Sequence, residues 1–154
     1  MQDLRLVRID RHGRPAAASV DIDQDIETKV CVATVALYDR VGFVPPWVGY
    51  LALRAGDVVG TCAFKGPPVD GQAEIAYYTL PGEEGTGVAT AMAAHLIGIA
   101  RTEDATVTLV AHTEPREGAS TTVLAGLGFV CEGPVTHPED GPVWRWRLPP
   151  ADKG

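Results

Sequence analysis

The sequence predicts an α/β (α+β) chain: one mixed β-sheet with helices on both faces. Two observations carry this. Runs of β-formers of strand length are interspersed with stretches whose apolar residues recur every three or four positions. The strand–helix–strand passage around Val88–Arg101 should pair its strands in parallel, whereas the remaining strands are joined by hairpin turns and should pair antiparallel.

Leu4, Leu6 and Ile9 mark a first strand, which Gly13 and Pro15 end. Ile22, Ile26, Val30, Ala33 and Leu37 recur at helical spacing, so Asp21 to Tyr38 reads as a helix despite β-branched Val30, Val32 and Val35. Val44-Pro45-Pro46 breaks it. Tyr50–Leu53 and Val58–Phe64 read as strands joined by the turn Arg54-Ala55-Gly56-Asp57. Gly66-Pro67-Pro68 and Asp70-Gly71 then lead into a central strand, Ala73–Leu80, stopped by Pro81 and Gly82. Val88, Met92, Leu96 and Ile99 define a helix over Val88–Arg101. Thr106–Ala111 reads as a buried strand. Pro115–Leu127 reads as a short helix with Ser120, Val123, Leu124 and Leu127 on one face. Phe129–Cys131 and Val143–Leu148 close the chain as strands around a polar turn, His137–Gly141, and the tail from Pro149 should fray.

The 154 residues favour a single domain, 1–154, with a substantial core. With 45% apolar and 21% charged residues the composition is that of a soluble globular chain, and no apolar run is long enough to cross a membrane. The first ten residues are charged throughout and resemble no signal peptide. Cys31, Cys62 and Cys131 are few, odd in number and far apart, which argues for a reducing, cytoplasmic setting and against a disulfide framework or a zinc site. Cys62 and Cys131 are expected as small core residues. A net charge of −7 disfavours nucleic acid as a partner.

The stretch from Ala73 to Arg101 organises the rest. Gly85 and Gly87 admit backbone geometries closed to most residues and leave no side chain to hold a ligand away. A glycine-rich turn opening a helix leaves several N–H groups unpaired and outward-facing, which makes a ready anion site. An ordinary strand-to-helix loop is the alternative.

The element order, with Glu84-Gly85-Thr86-Gly87-Val88-Ala89 following a strand that ends Thr79-Leu80-Pro81, resembles the GNAT superfamily of N-acetyltransferases, whose pyrophosphate loop reads Q/R-x-x-G-x-G/A. Pro115-Arg116-Glu117-Gly118-Ala119-Ser120 through Leu127-Gly128-Phe129 resembles the P-x-N-x-A-S…LGF segment of the branch that acetylates N-terminal alanines of ribosomal proteins. Glu74-Ile75-Ala76-Tyr77 and Pro138-Glu139-Asp140-Gly141…Trp144-Arg145-Trp146 are similar to that branch too, so the likeness covers roughly residues 50 to 148. Three positions depart from the pattern. Glu84 stands where Gln or Arg is usual, Glu117 where the branch has Asn, and Leu124 where many members have a Tyr that protonates the thiolate.

The resemblance implies a mostly antiparallel GNAT-type sheet in which Ala73–Leu80 lies between Val58–Phe64 and Thr106–Ala111 and splays from the latter. It implies an acyltransferase that moves an acetyl group from acetyl-CoA to the amine of a small molecule or a peptide N-terminus, without a metal; a homodimer is compatible with it. Backbone groups of Tyr78, Thr79 and Leu80 would line the pantetheine and polarise the thioester. Gly85, Thr86, Gly87, Val88 and Ala89 would hold the pyrophosphate, with the Thr90 hydroxyl assisting. Ser120 is the candidate proton donor to the thiolate, or else caps its own helix. Glu74 is the candidate base, directly or through water, or else a surface carboxylate. His112 is a second candidate base by its intrinsic pKa range. His95 is expected at a core boundary with no role. Trp47, Trp144 and Trp146 wall an acceptor pocket or pack the core.

Glu83 and Glu84 place negative charge beside a pyrophosphate site, at a cost of about 0.3–1 kcal/mol each. A rival reading is therefore the same fold with a degenerate or repurposed coenzyme site. A dinucleotide-dependent oxidoreductase fits less well: Thr90 stands where the third glycine belongs, and no acidic strand end follows at the expected distance. A P-loop is excluded, since no Gly-Lys-Ser/Thr follows the glycines.

Overall fold

The computed structural model describes residues 4–17, 20 and 22–150. Its strands are β1 Leu4–Arg8, β2 Gly49–Arg54, β3 Asp57–Phe64, β4 Gln72–Thr79, β5 Thr108–Thr113, β6 Val130–His137 and β7 Gly141–Leu148. They form a 7-stranded sheet in the order β1-β2-β3-β4-β5-β7-β6, antiparallel throughout except for β4 and β5. The helices are α1 Gln24–Ile26, α2 Val32–Val41, α3 Val88–Glu103 and α4 Ala119–Gly126, and a π-helical turn, Glu27–Cys31, joins α1 to α2. No described helix is long and apolar enough to cross a membrane.

As expected, the central strand β4 lies between β3 and β5. The parallel pairing is short: Gln72 with Thr108, Ala73 with Leu109, Glu74 with Val110, and then the two strands part. Each remains tied to its other neighbour beyond that point, β4 to β3 as far as Thr79 and β5 to β7 as far as Thr113. The sheet is thus split down its middle from Ile75 and Ala111 onward.

Alternation along β4 sends Ala73 and Ile75 into a core shared with Val88, Met92 and Leu96 of α3. Glu74, Ala76 and Tyr78 take the opposite face, the side of α2. A second core of Val7, Ile9, Ile26, Leu51 and Leu53 fills the sheet's other end, with Ile26 from α1. Close approach of α3 to the sheet depends on Gly60. A Cβ there would stand 2.8 Å from Met92 Sδ and 2.9 Å from the Tyr78 carbonyl oxygen.

Several boundaries differ from the sequence reading. The first helical stretch runs from Gln24, capped by Asp23 whose carboxylate accepts the Ile26 N–H at 2.8 Å, to Val41; the expected start, Asp21, lies outside the described residues. The fourth helix starts at Ala119 and not at Pro115, because Thr121 Oγ1 accepts the Gly118 N–H at 2.9 Å and so closes its first turn. Strand β6 extends to His137, eight residues in all. Gly133 and Pro134, at a register shift, had disguised its period. Cys131 is exposed on this edge strand and is not a core residue, whereas Cys62 is buried as expected. His95 is exposed on α3, not at a core boundary. Pro149 is not frayed: its carbonyl accepts from Arg101 Nη2 at 2.6 Å, while residues 151–154 lie outside the description.

Candidate active site

Where β4 ends, Gly85 (φ 78°) and Gly87 (φ 85°) both take left-handed backbone conformations, and a Cβ on either would meet nothing within 4 Å. The loop is open space rather than packed turn. Gly87 is the residue before α3, so the helix's first N–H groups emerge into that space with no side-chain cap. A groove of about 430 Å³ runs from this loop along β4 to α4. It is lined by Gly85, Gly87, Val88, Ala89 and Thr90 at one end and by Tyr77, Ser120 and Val123 at the other. Tyr78 and Thr79 line its floor. Leu80 and Thr86, also expected at the cofactor, are not in its lining: Leu80 packs with the β1–β2 core, and the Thr86 hydroxyl donates to the Glu83 carbonyl.

Glu83 and Glu84 also line this groove, and Glu84 is less adverse than its sequence position suggests. Glu84 Oε1 turns back and accepts the Gly82 N–H at 2.8 Å, fixing the turn. Arg54, at the end of β2, brings a cation to the loop: its Nη2 donates to Thr86 Oγ1 at 3.1 Å. In the sequence Arg54 belongs to a hairpin turn; the sheet brings it to the border of the glycine loop.

On the other face of β4, a second groove of about 390 Å³ runs between α2 and the strands β3 and β4. Its walls are small and apolar (Ala33, Ala36, Leu37, Ala63, Ala76), with Arg40 and Lys65 as its cations. Tyr77 and Tyr78 line both grooves, so the two meet at β4 beyond the point where the sheet splits.

Beside the split the structure brings together two of the three residues picked out as catalytic. Glu74 Oε2 lies 3.0 Å from His112 Nδ1, with both side chains largely shielded from solvent. A carboxylate only accepts, so it selects the imidazole tautomer with the proton on Nδ1 and leaves Nε2 with a free lone pair. The pair opens onto a hollow of about 470 Å³ shared with Asp70, Gln72 and Arg145.

A third member, His137, reads in the sequence only as the start of a polar turn. His137, the buried last residue of β6, has Nε2 3.5 Å from the same Glu74 oxygen, and its ring lies edge-on to His112 at 4.8 Å. The β6–β7 hairpin therefore arcs back over the α2 face. Its tip is tied down by Glu139, which pairs with Arg40 at 3.4 Å and Lys65 at 3.5 Å. The donor atoms of Glu74, His112 and His137 lie within 4.8 Å of one another, close enough for a metal. However, His137 Nδ1 accepts the N–H groups of Glu139 and Asp140 at 3.1 and 3.4 Å. Its proton therefore sits on Nε2, facing Glu74, and the cluster is arranged for hydrogen bonding rather than ligation.

Ser120, the third catalytic candidate, is exposed in the first turn of α4 on the far side of β4 from the pair, and it does not cap its helix. The tryptophans divide. Trp47 is buried against Phe64, and Trp146 is buried with its indole N–H donating to Thr113 Oγ1 at 3.0 Å. Trp144 is half-buried against the same core, so none of the three lines the grooves. Leu124, where a Tyr was the family habit, is fully buried in the core. Glu117 accepts from the Thr121 hydroxyl at 3.4 Å.

Comparison with known proteins agrees with this fold. No curated protein sequence matches the chain. Similar solved structures include RimL, a ribosomal L7/L12 alpha-N-protein acetyltransferase in its apo form, at 18% identity and TM-score 0.70, covering 97% of this chain and 95% of that one. A spermidine N-acetyltransferase chimera, SpeG from Vibrio cholerae with hSSAT, gives 14% identity and TM-score 0.66 with 95% of each chain covered. The putative acetyltransferase yncA from Salmonella typhimurium, solved with acetyl-CoA, gives 21% identity and TM-score 0.63, covering 100% of this chain and 96% of that one. At such identities these likenesses establish the fold. The family model described as "Acetyltransferase (GNAT) domain" matches residues 15–130, a span that contains the split strands, the glycine loop and both members of the Glu74–His112 pair. By that match and by its architecture, the chain belongs to the GNAT acetyltransferase family.

Proposed function

We propose that the protein, as one GNAT domain, transfers the acetyl group of acetyl-CoA to a primary amine, and that Glu74 and His112 form its base. The observation that carries this reading is that two grooves share Tyr77 and Tyr78 on the strand that also bears Glu74, paired with His112 at 3.0 Å, three residues before Tyr77. One groove begins at an uncapped helix N-terminus suited to phosphates, and the other has apolar walls suited to an acceptor.

Acetyl-CoA fits the first groove on its own terms. The left-handed glycines leave their N–H groups unshielded, and Arg54 brings a positive charge to the loop. The coenzyme supplies an activated thioester. The chain's residues hold its phosphates at Gly85, Gly87, Val88 and Ala89, with Thr90 alongside, and lay its arm along Tyr78 and Thr79. His112 takes a proton from the amine at Nε2 while Glu74 holds Nδ1–H and balances the imidazolium that forms. Burial of the pair strengthens this balance, since the charges meet in a partly dehydrated setting.

The acceptor groove's volume suits a small amine or an extended peptide end. We read the protein as acting in the cytoplasm, a setting supported by three free cysteines. Nucleic acid is disfavoured as a partner by the net charge of −7. The sequence is compatible with a homodimer.

Calorimetry of acetyl-CoA binding, together with thiol release in the presence of spermidine or a serine-initiated peptide, tests the proposal. The parent protein should bind acetyl-CoA. Gly87→Glu should not, because a carboxylate there blocks the backbone approach and opposes the phosphates. Absence of binding at millimolar acetyl-CoA in the parent would favour the repurposed-site reading.

A further inference from the structure

The groove between α2 and the strands β3 and β4 carries charge of one sign. Among the described residues that line it, Arg40 and Lys65 are the charged ones, and both are cations. Arg40 stands on α2 and Lys65 directly follows β3, so the two belong to opposite walls. One carboxylate joins them. Glu139 Oε2 lies 3.4 Å from Arg40 Nη2, and Glu139 Oε1 lies 3.5 Å from Lys65 Nζ. Each cation thus takes one oxygen of the same carboxylate, which is the geometry of a carboxylate seat.

The hold on Glu139 is loose. Both contacts exceed the length of a tight charge-assisted hydrogen bond, about 2.7–2.9 Å. Arg40 and Glu139 are half-exposed, and ion pairs so exposed contribute little. The hairpin tip has a second anchor, because His137, which is buried, accepts the Glu139 N–H at Nδ1, 3.1 Å away. A carboxylate brought by a ligand can therefore take the place of Glu139 without freeing the tip.

The seat lies beside the base. Phe64 is paired with Ile75, and the Lys65 N–H donates to the Glu74 carbonyl at 2.8 Å. Lys65 therefore stands opposite Glu74 on the same face of the sheet. Residues placed this way are about 5 Å apart. A ligand with its amine at the Glu74–His112 pair and its anion at Lys65 is short.

Resting on the acetyl-transfer reading above, we propose that the acceptor is a small amine with a terminal carboxylate, which Arg40 and Lys65 hold between them in place of Glu139. A polyamine fits this groove poorly, since its further ammonium groups would face the two cations. A longer peptide fits poorly too. Glu139 ties the hairpin tip to both walls at this end, so a chain continuing past the carboxylate meets the tip. The carboxylate itself is unchanged in the reaction. The amine nitrogen bonds to the thioester carbonyl carbon and gives one proton to His112 Nε2. The C–S bond breaks with its electron pair going to sulfur, and a solvent proton converts the thiolate to the thiol. The product is an N-acetyl amino carboxylate and coenzyme A.

The test measures thiol release from acetyl-CoA with glycine, β-alanine, γ-aminobutyrate and δ-aminovalerate, each beside the amino alcohol of the same length. The alcohol keeps the chain and an amine of similar basicity but removes the charge. The readout is the ratio of kcat/KM between acid and alcohol. In the parent at least one acid should exceed its alcohol about tenfold. Arg40→Gln and Lys65→Gln should each lower that ratio by about the same factor, through KM for the acid rather than kcat. Arg40→Lys, which keeps the charge, should recover part of the loss. Glu139→Gln removes the competing carboxylate and should raise the ratio about threefold. Melting temperature and acetyl-CoA affinity check that each variant is folded.

A ratio that is the same in the parent, Arg40→Gln and Lys65→Gln would overturn the proposal and leave acetyl transfer standing. So would faster turnover of spermidine or of an amino alcohol than of every acid, or binding of acetyl-CoA with turnover of none of the acids. A C-terminally amidated peptide beginning Ser-Asp that outruns every acid would move the carboxylate to a peptide side chain and overturn the small acceptor. A parent that does not bind acetyl-CoA would remove the acetyl-transfer reading itself, and this proposal with it.

Discussion

Glu74 on β4 and His112 on β5 are joined at 3.0 Å across strands that part immediately after Glu74 and Val110. The contact spans the root of the cleft. It depends on the parallel register that sets Glu74 opposite Val110 and so leaves His112 two residues further on, on the same face.

If the two act as a unit, their removal should not be additive. His112→Ala should lower kcat by roughly 10²–10⁴-fold with little change in KM for acetyl-CoA. Glu74→Gln keeps an acceptor for Nδ1–H but loses the charge and should cost about tenfold. The double variant Glu74→Ala/His112→Ala should be no worse than His112→Ala alone. Additive losses would mean that the two residues serve separate steps.

Glu84 accepts the Gly82 N–H, so its charge and its hydrogen bond can be separated. Glu84→Gln keeps an acceptor oxygen and removes the charge. Acetyl-CoA binding should tighten by roughly two- to fivefold, corresponding to about 0.3–1 kcal/mol near a helix terminus. The gain should shrink as salt is raised from 0.05 to about 0.5 M. Glu84→Ala loses the turn's bond as well and should gain less. Calorimetry at two ionic strengths decides it, and equal affinities for Glu84→Gln and the parent would show that the charge is already neutralised.

Gly60 has no room for a side chain, since two of the atoms a Cβ would meet belong to Met92 and the third is a backbone oxygen. Met92 can swing away, but the Tyr78 carbonyl is held in the sheet. Gly60→Ala should therefore destabilise the fold by about 1–3 kcal/mol. Because it pushes on the residue next to Tyr77, it should also weaken acetyl-CoA binding. Urea melts give the first quantity and calorimetry the second.

Alkaline stability follows from two buried acids. Tyr38 donates to the Ile9 carbonyl at 2.7 Å and accepts the Gly49 N–H at 2.9 Å. Burial pushes its phenol from 10.0 up to about 12. Burial likewise pushes the Cys62 thiol from 9.0 to about 12. A pKa raised in the folded state means that the unfolded chain loses its proton first. The stability these groups contribute is whole below pH 9 and is lost progressively as the pH approaches 12. Melting temperature should fall across that window. Cys62→Ala should make the fall from pH 9 shallower without removing it, because burial also raises the Cys31 thiol from 9.0, with Tyr38 following above pH 10. An unchanged slope in Cys62→Ala would mean that the thiol ionises without unfolding.

The sheet's middle is legible in the residues alone: a central strand from Ala73, a glycine turn, a helix from Val88 and a parallel return strand. Those assignments rest on local chemistry, namely β-formers stopped by Pro81-Gly82, glycines that permit left-handed backbone, and apolar residues at helical spacing, and local chemistry is written in order along the chain. It likewise marked Glu74 and His112 as groups able to move a proton.

That these two touch, that His137 joins them, that Arg54 borders the glycine loop, and that the Tyr77 hydroxyl is without a partner among the described residues depend on the folded chain. Glu74 and His112 are 38 residues apart, and their contact depends on strand register. His137 looked like part of a turn because Gly133 and Pro134 hide the strand's period, and its reach to Glu74 depends on how the β6–β7 hairpin curls over the sheet. Cys131 resembled a core residue because alternation tells which face a residue takes, but not whether anything covers that face. The physical reason is common to all four. A residue's neighbours along the chain set its backbone, whereas its chemical partners are set by register, curvature and layer packing, which are properties of the whole fold.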